Sequence, residues 1–205
     1  MSERIMIGEV RLSYVHLVEP SAPKDGGKPK YSVTMLIPKS NPALKAKIDQ
    51  GIKDCYEEAV RNKYKGARPQ MTHSLIYDGD GIRPSGVAFG PECAGYWVLT
   101  ATSQNKPGVV HISNIRQELE PQEIYSGMWA YVTINFYSPR QGNPVACGLG
   151  NVCKTRDDEP LSGGASAAAD FASIGTAAPM AGDDFAGVQG APMGGGVNPI
   201  TGLPM

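Results

Sequence analysis

The chain has 205 residues, 41% hydrophobic and 19% charged, which fits one ordinary globular domain with room for an additional unpacked segment. It contains no apolar run of the ~18 residues that a membrane-spanning helix needs, and Met1-Ser2-Glu3-Arg4 lacks the form of a secretion signal, so we expect a cytoplasmic protein without a membrane partner. The formal net charge of −1 conceals an uneven distribution, because residues 1–156 carry all 19 Lys and Arg, whereas residues 157–205 carry acids and no base.

The first two predicted elements are strands. Residues 5–18 alternate in polarity, and this pattern predicts a core face made of Met6, Val10, Leu12 and Tyr14. Residues 30–37 alternate as clearly, and the predicted core side consists of Tyr31, Val33, Met35 and Ile37. Because Pro20, Pro23 and the Gly26-Gly27 pair separate the two runs, we expect them to form a hairpin.

A single helix follows, with Ser40 as its predicted cap and its end before Gly66. Its apolar residues recur at steps of three and four: Leu44, Ile48, Ile52, Cys55, Ala59 and Val60. Residues 67–94 are rich in Pro, Gly and Asp and are predicted to be irregular. Further strands are predicted over residues 95–103, 128–137 and 144–154. In the middle one, a continuous apolar row leaves Trp129, Tyr131 and Tyr137 on the opposite face.

Five strands and one inserted helix predict an all-β, OB-type five-stranded barrel over residues 1–156. An open sandwich fits this set of elements less well, because five strands do not make two balanced sheets. Residues 157–205 contain 10 Gly, 10 Ala and 5 Pro but no Tyr or Trp. This second region cannot bury enough apolar surface to offset its ordering entropy, and we predict a disordered acidic tail.

The charge asymmetry suggests a function. Residues 1–156 have 14 acids against 19 bases, a net charge of +5, and residues 157–205 have a net charge of −6. A basic body with an acidic arm is typical of nucleic-acid-binding proteins, although such a tail could also serve solubility alone.

Binding of single-stranded DNA without sequence preference needs cations for phosphates and exposed rings for bases. The candidate DNA-binding residues lie on predicted strands or at strand ends: Arg11, Lys30, Lys39, Tyr96, Trp97, Lys106, Arg116, Trp129, Tyr131, Tyr137, Arg140 and Lys154. Lys106 and Arg140, in turns, are the first choices among the cations. For each aromatic residue the alternative is strand packing, and for each lysine it is solvated surface.

Other chemistries have weaker support. The four cysteines are irregularly spaced, and no two of them have the spacing of a paired metal-ligand motif. Cys147, Cys153 and one histidine could hold zinc, but no metal and no cofactor are expected. The pair Asp78 and Asp80, with Glu92 or His73, could serve a magnesium-dependent nuclease, but Asp-Gly steps are also common in turns. No phosphate-binding GKS or GKT loop and no serine elbow occur, so the chain is expected not to be an enzyme. A structural β-domain protein of a virion is the remaining alternative.

Several segments carry a family resemblance: Gly8 to His16, Lys30 to Lys39, Lys106 to Val110, Ile124 to Gly127, Asn135 to Tyr137, and Ala146 to Val152. Across the body they resemble a family of phage single-stranded DNA-binding proteins formerly classed as a domain of unknown function, similar to the replication proteins of podoviruses. The resemblance implies an OB fold and a role in phage DNA replication and recombination in the bacterial host.

The resemblance also implies that an acidic tail occupies the DNA groove when DNA is absent and contacts polymerase, helicase or recombination proteins. The tail residues that fit this role are Asp157, Asp158, Glu159, Asp170, Phe171, Asp183, Asp184 and Phe185. This chain departs from the usual pattern because it ends in the neutral run from Asn198 to Met205, so the internal Asp-Phe pairs are the better candidates. Single-stranded DNA is the expected ligand, while binding of duplex DNA and formation of a homodimer are left open.

Overall fold

The structure is a computed structural model that describes residues 4–22 and 26–161. Its elements in chain order are β1 (Arg4–Ser21), β2 (Lys30–Pro38), α1 (Pro42–Asn62), β3 (Ile76–Asp78), β4 (Tyr96–Ser103), β5 (Val109–His111), β6 (Asn114–Glu118), β7 (Trp129–Tyr137) and β8 (Ala146–Arg156). Single 3-10 turns occupy Pro91–Cys93 and Pro121–Glu123. The sequence pattern indicates the five long strands and the helix, but not β3, β5 and β6, which have three to five residues each.

Five of the strands close into a barrel. β1 lies antiparallel to both β2 and β7, β2 pairs with β4, and β7 pairs with β8. A parallel pairing of Thr102 in β4 with Gly148 in β8 closes the ring. The predicted OB-type barrel is therefore confirmed, and the open sandwich is wrong. β3 extends the sheet beside β4, and a hairpin of β5 and β6 extends it beside β8.

Helix α1 packs against the barrel near the start of β1 and the end of β7. Leu44 and Ile48 belong to the barrel core, and a Cβ added at Gly51 would lie 2.8 Å from Ile5 Cδ1. The capping residue is Asn41, whose side-chain oxygen accepts a hydrogen bond from the Leu44 amide at 3.1 Å. The predicted cap at Ser40 is thus wrong by one residue. No helix in the described part of the chain is long and apolar enough to cross a membrane.

Three irregularities interrupt the pairing of β1, and the first two concern residues that were predicted to face the core. The register with β7 shifts between Ile7 and Val10, and the register with β2 shifts between Ser13 and His16. Each extra residue moves the following side chains to the other face. Val10 and Leu12 are buried as predicted, but Met6 and Tyr14 are 60% and 53% exposed. The prediction that Met6 and Tyr14 face the core is therefore wrong.

A second apolar group lies outside the barrel core, and we call it the outer cluster. Its members come from β2, β3, β4, the segment between β3 and β4, and the chain after β8: Leu36, Tyr77, Phe89, Cys93, Tyr96, Val98 and Leu161. The segment predicted to be irregular thus contributes part of a small packed layer on the outer face of the sheet.

The chain continues past β8 on the surface of the barrel. We call residues 157–161 the docked segment, because their contacts with the barrel are described below. Residues 162–205 lie outside the described residues, and with them the predicted tail residues Asp170, Phe171, Asp183, Asp184 and Phe185. The domain boundary at residue 156 and the disorder of the tail stay predictions.

Candidate nucleic-acid interface

Three side chains lie in a row across three neighbouring strands. Arg11 of β1 is opposite Trp129 of β7, and Trp129 is opposite Arg156 of β8. Directly opposed residues share a face of the sheet, so the indole is flanked by a guanidinium on each side. The Arg156 guanidinium carbon lies 4.1 Å from the Trp129 ring centroid, which is a cation–π contact. A half-buried ring between two cations is suited to a base with phosphates on either side.

Tyr125 and Lys154 adjoin this row. We call Arg11, Tyr125, Trp129, Lys154 and Arg156 the Trp129 cluster. Lys154 is only 4% exposed, and its ammonium donates to the Glu123 carbonyl oxygen at 2.8 Å. The same ammonium lies 5.1 Å from the Tyr125 ring centroid. Burial of a charge is costly unless the charge is paired, so an anion close to the Lys154 ammonium stabilises it.

The docked segment supplies that anion. An Asp157 carboxylate oxygen lies 2.7 Å from the Lys154 ammonium and accepts a hydrogen bond from the Tyr125 hydroxyl at 2.7 Å. These hydrogen bonds, first from Lys154 and then from Tyr125, lower the pKa of Asp157. Burial, and then the hydrogen bond with Asp157, raise the pKa of Tyr125.

The second carboxylate of the docked segment binds the centre of the row. Asp158 accepts a hydrogen bond from the Trp129 indole N–H at 2.7 Å and lies 3.6 Å from Arg11 Nε. The hydrogen bond from Trp129 is the main cause of the lowered pKa of Asp158, and the charges of Arg11 and Arg156 act in the same direction. Adjacent carboxylates therefore hold the positions that anionic groups of a bound polymer could take.

The rest of the docked segment runs from the Trp129 cluster to the outer cluster. Arg11 Nη2 donates to the Glu159 carbonyl oxygen at 2.9 Å, and the Leu161 amide donates to the Ser126 carbonyl oxygen at 2.7 Å. Gly127 makes this path possible, because its φ is +121° and a Cβ there would lie 2.3 Å from the Glu159 carbonyl oxygen. Leu161 then packs into the outer cluster.

One further acid moderates the charge of the Trp129 cluster. Glu9 of β1 lies 3.4 Å from Arg156 Nε and also accepts a hydrogen bond from the Thr155 hydroxyl. Beside it the Tyr131 ring lies directly over Gly8, where an added Cβ would be 1.7 Å from the ring. Tyr131 points outward from the same face of β7 as Trp129, so the two rings are two residues apart along one strand.

The structure divides the other candidate residues between the two ends of the barrel. Lys30 begins β2 and Lys106 follows β4, and both lie at the end where β1 finishes. Tyr137 ends β7 and Arg140 lies in the next loop, at the opposite end of the barrel. Arg116 is exposed on β6, and Tyr96 packs in the outer cluster. Of the twelve candidates, Arg11, Trp129 and Lys154 form one site, with Tyr131 next to it.

Lys39 and Trp97 belong to a different group of contacts. The Lys39 ammonium binds the carboxylates of Asp78 and Asp80, and both Lys39 and Lys45 lie 4.9 Å from the Trp97 ring centroid. The carboxylate pair considered for a magnesium site thus binds a lysine that joins β2 to β3. Within residues 4–22 and 26–161, no three His, Cys, Asp or Glu side chains are grouped to hold a metal ion.

Sequence reasoning missed two members of the Trp129 cluster. Arg156 was outside the last predicted strand, which ended at Lys154, and the register shift that brings Arg156 opposite Trp129 leaves no mark in the sequence pattern. Tyr125 precedes β7 in a segment without periodicity, and no sequence signal assigns it. From the resemblance, the acids from Asp157 to Glu159 were expected to occupy the DNA groove and to bind partners, and the structure places Asp157, Asp158 and the Glu159 backbone on the barrel.

Comparison with known proteins gives consistent relatives. The family model of the single-stranded DNA-binding protein of Enterobacter phage Enc34 matches residues 3–184. The solved structure of the Enc34 protein in complex with single-stranded DNA is 35% identical, with a TM-score of 0.66 over 77% of this chain and 89% of that one. A putative protein, p50, of Acyrthosiphon pisum secondary endosymbiont phage 1 is 29% identical over 78% of this chain and 88% of its own length.

A more distant structure shares the fold. The single-stranded DNA-binding protein gp2.5 of bacteriophage T7 is 14% identical, with a TM-score of 0.53 over 80% of this chain and 97% of that one. The predicted membership of a phage family, its barrel and the resemblance drawn from residues 8–152 are therefore confirmed. The chain belongs to the family of the Enterobacter phage Enc34 single-stranded DNA-binding protein.

Proposed function

We propose that this protein binds single-stranded DNA without regard to base sequence, and that the Trp129 cluster is the centre of its binding surface. The observation that carries the proposal is the pair of carboxylates, Asp157 and Asp158, held by Lys154, Trp129 and Arg11. A site that holds two successive anions beside an aromatic ring has the chemistry needed for a nucleotide chain. The 35% identity to a protein solved with single-stranded DNA supports the same ligand.

In the bound state, phosphates take the places of the two carboxylates, and bases stack on Trp129 and Tyr131. Each stacked base contributes about 1–3 kcal/mol, with little dependence on base identity. Lys30 and Lys106, at the end of the barrel where β1 finishes, extend the track of positive charge. This arrangement binds and protects a strand and performs no chemical step, so the proposed function is not enzymatic.

The docked segment is a competitor for the same surface. Residues 157–205 carry a net charge of −6 and residues 1–156 a net charge of +5, so the two attract each other. DNA must displace Asp157 and Asp158 before its phosphates reach Lys154 and Arg11. The acidic region thereby lowers the affinity of the protein for weak ligands and for isolated anions.

The cellular role follows from this competition. When DNA occupies the surface, Asp170, Phe171 and the run Asp183-Asp184-Phe185 bind a phage polymerase, helicase or recombination protein. The protein would then coat single strands during phage replication and recombination in the cytoplasm of the bacterial host.

A gel-shift titration with labelled oligo-dT and with a matching duplex tests the main proposal. With about four phosphates engaged, the logarithm of affinity should fall with the logarithm of salt concentration at a slope near −3. A protein that leaves oligo-dT unbound in dilute buffer would contradict the proposal and favour a virion component. Degradation of the probe in magnesium, abolished by Asp78→Ala and Asp80→Ala, would favour a nuclease.

The competition has its own experiment. The double variant Asp157→Asn/Asp158→Asn removes two charges from the docked segment and should bind oligo-dT more tightly at low salt. The control Asp54→Asn/Glu58→Gln removes the same charge from exposed positions on α1. Equal gains in both variants would show that total charge alone matters, and a loss of affinity in the first variant would overturn the competition.

A further inference from the structure

Tyr14 has a backbone conformation that tyrosine rarely adopts. Its φ is +47°, and it lies in the second irregularity of β1, between Ser13 and His16. A bulky residue in this left-handed region is strained. The irregularity turns the ring away from the core, and the side chain is 53% exposed. Burial of the ring therefore does not compensate for the strain.

Arg83 reaches Tyr14 from the segment between β3 and β4. Its Nη2 lies 3.5 Å from the Tyr14 hydroxyl oxygen, and its guanidinium carbon lies 5.1 Å from the Phe89 ring centroid. Arg83 Nε is buried without a hydrogen-bond partner, and no carboxylate in the described residues lies within 4.0 Å of the guanidinium. A guanidinium in contact with the Phe89 ring and the Tyr14 hydroxyl, with no carboxylate within 4.0 Å, can still accept an anion.

A hollow of about 470 Å³ adjoins the Tyr14 ring. Among the described residues that line it, the polar ones other than Tyr14 are Ser13, His16, Glu92 and Ser126. Glu92 makes the hollow unsuitable for a phosphate, because two negative charges would be brought together. Hydroxyl, imidazole and carboxylate groups are instead able to bind the polar edge of a flat, neutral base.

We propose that Tyr14 and Arg83 form a second nucleotide subsite, in which a base stacks on Tyr14 over the hollow and its phosphate binds Arg83. The inference rests on the proposed function, because it adds a subsite to the same DNA track. It differs from the Trp129 cluster in its elements, since Tyr14 and Arg83 come from the β1 irregularity and the segment after β3.

The docked segment connects the two subsites. Asp158 lies on Trp129 at one end of the segment, and Leu161 lines the hollow beside Tyr14 at the other. A strand that displaces residues 157–161 therefore uncovers both places. Leu161 also packs in the outer cluster, so its removal exposes additional apolar surface next to the hollow.

Three variants test the subsite by binding to oligo-dT. Tyr14→Leu should weaken binding about 5- to 160-fold, which is the effect of one stacked base. Tyr14→Phe retains the ring and should bind almost as tightly as the unaltered protein. Arg83→Gln should weaken binding and make the salt slope shallower by about 0.7, the change expected for one lost phosphate contact on a single strand.

The backbone strain provides a matched pair of glycine variants. Tyr14→Gly relieves the positive φ, so its melting temperature should be unchanged or higher while DNA affinity falls. Lys65→Gly relieves the other non-glycine positive φ among the described residues, 50°, and should leave DNA affinity nearly unchanged. If Tyr14→Gly lowered the melting temperature and left affinity intact, Tyr14 would be a structural residue and the subsite would be overturned.

Photo-crosslinking of the unaltered protein to an oligonucleotide containing 5-iododeoxyuridine decides the question independently of folding. Crosslinks mapped to Tyr14 by mass spectrometry support the subsite. Crosslinks restricted to the Trp129 cluster, or full affinity in Tyr14→Leu, would overturn the subsite and leave the proposed function intact. An unaltered protein that binds no oligonucleotide would overturn both.

Discussion

Trp129 contributes two separable groups to the binding surface, a ring face and an N–H donor. The ring is the proposed platform for a base, whereas the N–H binds the Asp158 carboxylate at 2.7 Å. Trp129→Phe keeps a ring and removes the donor, so it should loosen the docked segment and retain most DNA affinity. Trp129→Leu removes both and should weaken binding of oligo-dT by about 1–3 kcal/mol, the free energy of one stacked base.

Fluorescence anisotropy with labelled oligo-dT distinguishes these two roles of Trp129. The two variants should differ from each other in affinity more than Trp129→Phe differs from the unaltered protein. If Trp129→Phe and Trp129→Leu lost affinity equally, hydrogen bonding or packing by the indole would matter and stacking would not.

The contacts of Lys39 predict a pH dependence of stability. Hydrogen bonds from Lys39 lower the pKa of Asp78 and Asp80 below 3.8, and the same bonds raise the pKa of Lys39 above 10.5. A carboxylate with a lowered pKa adds stability above its ordinary pKa and loses it as the pH falls through the lowered value. A lysine with a raised pKa adds stability below 10.5 and loses it as the pH rises through the raised value.

Replacement of Lys39 by Met should therefore reduce the melting temperature modestly at pH values between the lowered pKa of the two carboxyls and the raised pKa of Lys39. The difference in melting temperature between the variant and the unaltered protein should shrink at strongly acidic and strongly basic pH. Thermal denaturation followed by circular dichroism over this range measures the effect. Lys53→Met serves as the control, because Lys53 is exposed on α1 and forms no ion pair in the described part of the chain. A constant difference at every pH would show that Lys39 acts through packing on Trp97 alone.

At the scale of the elements, the irregularities of β1 determine how much of the site can be predicted. Arg11, Trp129 and Lys154 were identified because they lie on long alternating strands, where a period of two assigns faces. Tyr14 was assigned to the wrong face because a bulge leaves no mark in the hydrophobic pattern. Such insertions arise from tertiary pairing, so one alternating pattern drawn across an insertion assigns the residues on one side of it to the wrong face.

The first irregularity of β1 makes a prediction about Gly8. The Tyr131 ring lies where a Cβ of residue 8 would be, at 1.7 Å, so Gly8→Ala must displace the ring. We expect a loss of about 1–3 kcal/mol in the free energy of unfolding, as for other overpacked sites. Urea denaturation measures it. Gly108→Ala is the matched control, since its nearest atom would be an ordinary 3.4 Å away, and a similar loss in both variants would contradict this placement of Tyr131.

At the scale of the whole molecule, the closed barrel was more predictable than its additions. Five strong strands and one amphipathic helix restrict the fold to very few architectures, and the barrel follows from them. β5 and β6 were missed because Val109–His111 is short and every residue of Asn114–Glu118 is exposed, which leaves no hydrophobic pattern to recognise. The contacts of Asp157 and Asp158 with the barrel depend on Tyr125 and on the register of β7 with β8, which no sequence pattern shows, so the resemblance alone implied an acidic tail in the groove.

The remaining prediction concerns that attraction and separates direct contact from long-range charge. Asp170, Asp183 and Asp184 lie outside the described residues, and the variant with Asn at all three positions halves the −6 charge of residues 157–205. The Debye length falls from about 30 Å at 0.01 M salt to about 3 Å at 1 M. The triple variant should therefore bind oligo-dT more tightly than the unaltered chain in dilute buffer and equally at high salt.

Asp157→Asn/Asp158→Asn should keep part of its advantage at high salt, because those carboxylates contact Lys154, Trp129 and Arg11 directly. Titrations at several salt concentrations compare the two variants, and a triple variant identical to the unaltered chain in dilute buffer would show that only the docked segment competes with DNA.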